Sequence, residues 1–316
     1  MDDVPRTGDV EPDIRRYLES PLAAFPDVAT STAAEVRAHF TEMRTVEEMP
    51  DVAEVSNTVF KGPGGDVPVR VYRSGEPETA VILWFHGGGW VLGDLDTAEL
   101  PARSLCAQTG CTVLSVGYRL APEARFPGAV EDCLASLKWA RTEAGTLRID
   151  PDRLIVGGDS AGANLAAVVA VAERDARRSL LGQLLIYPVI EPKTESGGYG
   201  AVGEGYGLSE AAMDWFWDHY VPEAADRSDW RVNLSVAELS GAPDAFVLTC
   251  GYDPLAAEGI RFASRLAAAG VSVVTEHLAG AIHGVFATNL DAGFRSRAAA
   301  SAWVRSLIDN RSFERG

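Results

Sequence analysis

Residues 153–172 read RLIVGGDSAGANLAAVVAVA, and this stretch decides the fold class. The apolar run RLIVGG (153–158) lacks the alternation of a half-exposed strand, which is typical of a strand buried on both faces of a parallel sheet. The residues that follow predict a helix over 161–177. A buried strand that passes into a helix within a few residues is the repeating unit of an α/β fold.

The same alternation of strand and helix extends along most of the chain. Further apolar runs that predict strands lie at 80–85, 112–118, 182–190, 245–250 and 271–278. Helical patterns between and after them cover 97–109, 127–144, 254–269 and 291–309. Upstream, VAEVSNTVF (52–60) and VPVRVYR (67–73) alternate around Gly62-Pro-Gly-Gly65, which predicts a β-hairpin. We therefore expect the α/β class, with an eight-stranded, mostly parallel sheet flanked by helices.

Two segments lie outside this rhythm. Residues 1–50 have helical patterns at Asp13–Leu18 and Ala33–Met43 and no strand pattern. The link 191–220 starts rich in glycine and continues as the aromatic helical stretch LSEAAMDWFWDHYV, with Ser209 as a candidate N-cap. Because so long an insertion is usually functional, we expect 191–220 to form a helical cap to which the N-terminal arm 1–50 contributes, and 51–190 with 221–316 to form the catalytic α/β domain. The alternative for 1–50 is a surface helical arm. The alternative for the aromatic helix is a packed peripheral helix.

Composition narrows the class of partner. The chain has 316 residues, and 45 acidic against 28 basic side chains give a net charge of −17, which disfavours nucleic acids and anionic membranes. The four cysteines form no CxxC pair, so neither a disulfide framework nor zinc is expected. The N-terminus has no apolar core of a signal peptide, and no apolar run reaches the length of a membrane span, so we expect a cytoplasmic protein.

One cofactor motif is rejected on its context. Gly198–Gly203 fits GxGxxG, but that dinucleotide motif must lie directly between a strand and a helix. Here seven residues separate it from the preceding strand, and more glycines follow it. We expect neither a nucleotide nor any other cofactor, and no metal.

The pentapeptide Gly158-Asp159-Ser160-Ala161-Gly162 matches G-x-S-x-G at the predicted strand-to-helix turn. In this context a serine is held in a strained conformation above the sheet, where it can act as a nucleophile. The alternative is a glycine-rich turn with an inert serine.

A second motif, His86-Gly87-Gly88-Gly89-Trp90, follows the strand at 80–85 and matches the HGGG-type loop that supplies oxyanion-hole amides. It assigns Gly87 and Gly88 as N–H donors, together with Ala161, unless it is a plain glycine turn.

A serine needs a base, and the base needs a carboxylate. Of the five histidines, His283 lies in a small-residue loop after the last strand-like run, from which it could reach back over the edge of the sheet. His277 falls within that run, whereas His39 and His219 lie in helical patterns, and His86 belongs to the glycine motif. For the carboxylate, Asp253 directly follows the strand-like stretch AFVLTCGY (245–252), with Glu258 as the rival and a helix N-cap as the structural alternative. Asp244 lies at the wrong end of that strand.

These stretches resemble the bacterial hormone-sensitive-lipase-like carboxylesterases of the α/β-hydrolase superfamily. The matching segments are HGGGW (86–90), YRLAPE (118–123), FPGAVEDC (126–133), IDPDRLIVGGDSAGANLA (149–166), DPLAAEG (253–259) and HG (283–284). The resemblance implies a Ser160–Asp253–His283 triad, oxyanion donors at Gly87, Gly88 and Ala161, a helical cap, and a homodimer through the edge strand near 271–278.

The predicted function is that of a serine carboxylesterase acting on small-molecule esters with short- to medium-chain acyl groups. Trp90, Trp215 and Trp217 are expected to line a water-excluding substrate pocket. Two alternatives stay open: an arylformamidase or amide hydrolase that uses the same residues, and a non-catalytic receptor for a small ligand on the same fold.

Overall fold

The apolar runs form the strands of one sheet in a computed structural model of the chain. The structure describes residues 4–23, 26–28, 30–42, 48–75, 80–174, 180–192, 202 and 205–313. In this part the strands are β1 (Glu54–Gly62), β2 (Gly65–Arg73), β3 (Val81–Phe85), β4 (Thr112–Val116), β5 (Leu154–Asp159), β6 (Gly182–Ile186), β7 (Ala245–Tyr252) and β8 (Val273–Ile282). Their order across the sheet is β1-β2-β4-β3-β5-β6-β7-β8.

In this eight-stranded sheet β2 runs in the opposite direction to the other seven strands. The predicted hairpin pairs β1 with β2 from Glu54 opposite Arg73 to Gly62 opposite Gly65. Strands β3, β4 and β7 are buried along their whole length, which explains why their sequences lack polar alternation. The predicted α/β-hydrolase architecture, eight strands in a mostly parallel sheet flanked by helices, is confirmed.

Helices cover both faces of the sheet. They are α1 (Pro12–Leu18), α2 (Ala33–Glu42), α3 (Glu99–Thr109), α4 (Gly128–Thr142), α5 (Ala144–Leu147), α6 (Ala161–Ala172), α7 (Glu210–Tyr220), α8 (Ala256–Ala268) and α9 (Asp291–Phe313). The apolar side chains of α4, α6, α7 and α8 share one buried cluster with one face of the sheet. Those of α1, α3 and α9 share a second cluster with the opposite face. None of the helices in the described ranges is long and apolar enough to cross a membrane.

The N-terminal segment lies against the edge of the sheet that carries β8. Backbone amides of Thr7 and Glu11 donate to the carbonyls of Ala279 and Gly280 at 3.3 and 3.0 Å. Further along, α2 is fixed by Arg37, which donates to the carbonyls of Val91 and Ala121 at 2.7 Å each. The arm is therefore attached to the α/β domain at two places, although residue 43 of the predicted helix and the other residues of 43–47 lie outside the described part.

Helix α7 begins as the sequence indicates. Ser209 is its N-cap, with the side chain accepting from the Ala212 N–H at 3.1 Å. Residues 193–201, 203 and 204, which include most of the GxGxxG stretch, lie outside the described residues. The division of the chain into a cap and a catalytic domain stays a prediction.

Candidate active site

Ser160 lies at the turn from β5 into α6. Its backbone is strained, with φ at 56° and ψ at −120°, a combination that costs free energy for a residue with a Cβ. The turn is tight because glycines flank it: a Cβ on Gly162 would collide with the Phe85 carbonyl, and one on Gly158 with the Gly162 backbone. The N–H of Ser160 is held by the Ile186 carbonyl at 2.9 Å, which anchors the turn to β6.

His283 and Asp253 meet this serine. The His283 Nε2 lies 2.9 Å from Ser160 Oγ, and its Nδ1 lies 2.8 Å from Asp253 Oδ2. Asp253 has no exposed side-chain surface, and its Oδ1 accepts from the Leu255 N–H at 2.8 Å. The N-cap of α8 is Leu255, so the helix N-cap that the sequence left as an alternative for Asp253 is wrong, and the Oδ1 contact belongs to the turn before the helix. The structure brings together the three residues that the sequence singled out.

The rival acid, Glu258, lies away from the imidazole. It is buried in α8, and its Oε1 accepts from the Ile190 N–H at 2.8 Å. Burial raises the pKa of Glu258 well above its usual value. This carboxyl therefore holds the backbone after β6, and Asp253 alone of the two contacts His283.

The other histidines, all within the described part of the chain, have different partners. Nδ1 of His86 hydrogen-bonds to the Gly87 carbonyl at 2.8 Å, its ring stacks on Tyr118, and burial lowers its pKa. His277 bridges Thr249 Oγ1 and the Pro5 carbonyl at 2.8 and 2.7 Å. His39 and His219 lie on α2 and α7.

Tyr187 is a site residue that the sequence analysis missed. Its ring centroid lies 4.5 Å from that of His283, and its backbone has a φ of 36°. A positive φ is rare for an aromatic residue, so Tyr187 is a second strained position, in ring contact with the imidazole. In sequence it continues the apolar run 182–190, and nothing in that run marks it.

The glycine loop, residues 86–90, carries free amides, but not the pair that the sequence predicts. The Gly87 N–H donates to Asp159 Oδ1 at 3.1 Å, so this amide already has an acceptor. Gly88 and Gly89 have φ values of 109° and 59°, which favour glycine. Among the described residues, no acceptor is found for the amides of Gly88, Gly89 and Ala161. The assignment of Gly87 as a donor is therefore corrected, because its hydrogen is used within the protein.

The three tryptophans predicted for the pocket divide into two groups. Trp90 and Trp217 are 0 % and 1 % exposed, so neither presents surface to a ligand in this structure. Instead the Trp90 ring, on a backbone with φ of 61°, packs at 4.6 Å from Trp217 and stacks at 4.5 Å on Tyr220. Trp215 is partly exposed, and for it the pocket role stays a prediction.

Phe216 connects α7 directly to the glycine loop. A Cβ on Gly89 would collide with its ring. The aromatic residues of α7 therefore pack on both Gly89 and Trp90 of the loop that follows β3. Within the described ranges no group of three or more His, Cys, Asp or Glu side chains is placed to hold a metal ion.

Comparison with known proteins identifies the family. Residues 82–287 match the family described as the alpha/beta hydrolase fold. The chain belongs to this family. Among its relatives, the carboxylic ester hydrolase LipN of Mycobacterium tuberculosis is 38 % identical over 83 % of this chain and 71 % of its own length. The carboxylesterase NlhH of the same organism is 37 % identical over 86 % of this chain and 89 % of its own length.

Solved structures give the same result. The ester hydrolase EH1AB1 from the metagenome of Lake Arreo, solved with a derivative of bipyridine phosphonate, is 38 % identical and superposes with a TM-score of 0.88. The superposition covers 94 % of this chain and 98 % of that structure. This α/β-hydrolase is a carboxylic ester hydrolase, and the resemblance to hormone-sensitive-lipase-like carboxylesterases is confirmed.

Proposed function

We propose that this α/β-hydrolase cleaves short- to medium-chain carboxylic esters through an acyl-enzyme formed on Ser160. The single observation that carries the proposal is the continuous hydrogen-bonded chain from Asp253 through His283 to Ser160. A carboxylate on Nδ1 fixes the tautomer in which Nε2 is free to accept a proton, which is the arrangement that activates a serine hydroxyl.

The reaction takes two halves. His283 Nε2 accepts the Ser160 proton while Oγ bonds to the ester carbonyl carbon, and the C=O electron pair moves to the oxygen. The tetrahedral intermediate then collapses, the C–O bond to the alcohol breaks, and His283 returns the proton to that alcohol. Water, deprotonated by His283, attacks the acyl-enzyme in the same way and releases the carboxylic acid and free Ser160.

The oxyanion is proposed to bind the amides of Ala161, Gly88 and Gly89. These three N–H groups lack an acceptor among the described residues, whereas Gly87 has one in Asp159. Losing one such donor typically costs about 3–4 kcal/mol of transition-state stabilisation. Gly89 thus replaces Gly87 as the proposed donor.

The acyl preference follows from the aromatic side chains of α7. Phe216 lies over Gly89, and Trp215, beside it at 5.3 Å between ring centroids, keeps some exposed surface. We propose that these rings bound the acyl site, with 1–50 and 191–220 as the cap above it. A series of p-nitrophenyl esters from acetate to palmitate should give the highest kcat/KM below about eight acyl carbons, and a maximum above about twelve would contradict this.

A homodimer through β8 is a further part of the proposal. This edge strand exposes Val274 by 46 %, and its outer backbone at Ala279 and Gly280 is already used by the N-terminal segment. Pairing is therefore proposed over residues 273–278. Light scattering of wild-type protein and of Val274→Lys should show a dimer and a monomer, and a wild-type monomer would contradict it.

Ser160→Ala tests the nucleophile. Turnover of p-nitrophenyl butyrate should fall by at least about 10³-fold, with thermal unfolding unchanged. Ser115→Ala is the matched control, because this buried serine in β4 has no hydrogen-bond partner for Oγ among the described residues and lies outside the site. Rates on N-formylkynurenine should stay well below those on the ester; the reverse order would favour the formamidase alternative.

A further inference from the structure

Asp159, the residue directly before Ser160, reaches across to the glycine loop. Its Oδ1 accepts the Gly87 N–H at 3.1 Å, and a Cβ on Gly87 would collide with its Oδ2. The carboxylate therefore packs closely against the loop backbone and retains a small exposed surface. The mechanism proposed above gives this carboxylate no part.

The peptide unit between His86 and Gly87 is fixed at both of its polar ends. Tyr118 Oη donates to the His86 carbonyl at 2.6 Å, while Asp159 accepts the Gly87 N–H of the same peptide. The next carbonyl, that of Gly87, accepts from His86 Nδ1 at 2.8 Å. Because a trans peptide directs its N–H opposite to its C=O, this second bond also sets the direction of the Gly88 N–H.

We propose that Asp159 is a positioning residue for ester hydrolysis, which acts by holding the His86–Gly87 peptide so that the following loop amides stay directed at the oxyanion. The inference rests on the proposed function, since it concerns the same oxyanion site. It also explains why Gly87 itself is not an oxyanion donor: its N–H is hydrogen-bonded to Asp159 at the end of β5.

The charge of Asp159 strengthens its hydrogen bond with the Gly87 N–H. A hydrogen bond to a carboxylate is roughly twice as strong as one to a neutral acceptor. Burial raises the pKa of Asp159 to about 6, against the lowering effects of His283 and of the Gly87 N–H. The titratable groups that act on or respond to it are His283 after β8, Tyr118 after β4 and Tyr187 after β6. We therefore expect the Asp159 side chain to be ionised at pH 8 and to become protonated as the pH falls through about 6.

Two substitutions separate the hydrogen bond from the charge. Asp159→Ala removes both, whereas Asp159→Asn keeps an acceptor oxygen without the charge. We expect kcat for p-nitrophenyl butyrate at pH 8 to fall about 30-fold in Asp159→Ala and about 3-fold in Asp159→Asn, with KM changed by less than about 2-fold. Asp150→Ala is the matched control: this carboxylate accepts the Asp152 N–H at 2.9 Å before the opposite end of β5, and its loss should leave kcat unchanged.

The pH profile provides a readout that a merely structural role would not change. The ratio of wild-type to Asp159→Asn kcat/KM should fall from about 3 at pH 8 towards 1 at pH 5, because protonation gives the wild type a neutral side chain too.

Several results would overturn the proposal. The first is a kcat of Asp159→Ala equal to that of the wild type. The second is an equal loss of kcat in Asp159→Ala and Asp159→Asn that is proportional to their loss of thermal stability. If Asp159→Ala does not fold, a ratio that stays constant between pH 5 and pH 8 is decisive against it. A wild-type protein inert towards all the esters would instead refute the proposed function, and the wild-type measurement in each series separates the two failures.

Discussion

The imidazole of His283 lies 2.9 Å from the hydroxyl of Ser160, although 123 positions separate the two residues in the chain. Parallel strands make this contact possible, since β5 and β8 both end at the same edge of the sheet. Asp253 follows β7, the neighbour of β8, and completes the hydrogen-bonded chain from the same edge.

Asp253→Asn should lower kcat by about 10³–10⁴-fold while the fold stays intact, because an amide no longer holds the imidazole in the reactive tautomer. Steady-state kinetics with p-nitrophenyl butyrate measure this. Asp244→Asn, directly before the opposite end of β7, is the control and should keep wild-type kcat. Similar rates in both variants would remove Asp253 from the mechanism.

Gly89→Ala should lower kcat about 10- to 100-fold, because the new Cβ has to adopt a φ of 59° and collides with the Phe216 ring. The double variant with Phe216→Ala relieves the collision and should recover part of the rate. Gly110→Ala, at a φ of 75° with open space around the Cβ, supplies the same backbone strain far from the loop and should cost stability only. Unchanged kcat in Gly89→Ala would contradict the proposed role of this loop segment.

Glu258→Gln should be more stable than the wild type at pH 8, with the difference vanishing near pH 4.5. The folded state binds this proton more tightly than the unfolded state, so ionisation of Glu258 costs stability as the pH rises above 4.5. Glutamine cannot ionise and keeps an acceptor for the Ile190 N–H. Urea unfolding across the pH range measures the difference.

The control for this experiment has the opposite sign. Glu238 is exposed, and the hydrogen bond from the Ser240 N–H lowers its pKa. Glu238→Gln should therefore lose stability relative to the wild type at pH 8 and not at low pH. A Glu258→Gln difference that is constant with pH would contradict the burial argument.

Arg37→Met should destabilise the protein by about 1–3 kcal/mol, since it leaves the carbonyls of Val91 and Ala121 without their charged donor. It should also bring the pKa of Glu123, which Arg37 lowers to about 2, back towards the usual value. Urea unfolding and an NMR titration of Glu123 measure the two effects. Arg15, on α1, forms an exposed ion pair with Asp9, so Arg15→Met should change the free energy of unfolding by less than about 0.5 kcal/mol. Equal effects of Arg37→Met and Arg15→Met would show that Arg37 does not anchor α2.

The strands and the start of α7 could be predicted from the sequence because burial and helix capping each favour particular residues locally. Runs without polar alternation gave the buried strands, and Ser209 gave the start of α7, because burial and capping both leave a local signature. His283 and Asp253 could be chosen because parallel topology sends strand ends to one edge. In each case the residues that form the sequence pattern are the same residues that form the structural feature.

The predictions that were wrong concern the direction of individual N–H groups and aromatic rings, which no sequence pattern indicates. Glycine spacing does not say which amide of the loop points at Asp159, and so Gly87 was assigned in place of Gly89. Aromatic content near the site does not say which rings pack on each other, and so Trp90 and Trp217 were placed in the pocket although both are buried.

The nucleophile can be identified by reaction with an organophosphonate followed by intact-mass analysis and peptide mapping. We expect one phosphonyl group per chain, located on Ser160, with loss of esterase activity in proportion to labelling and no labelling of Ser160→Ala. Labelling at another residue, or complete phosphonylation of Ser160 with esterase activity retained, would contradict it.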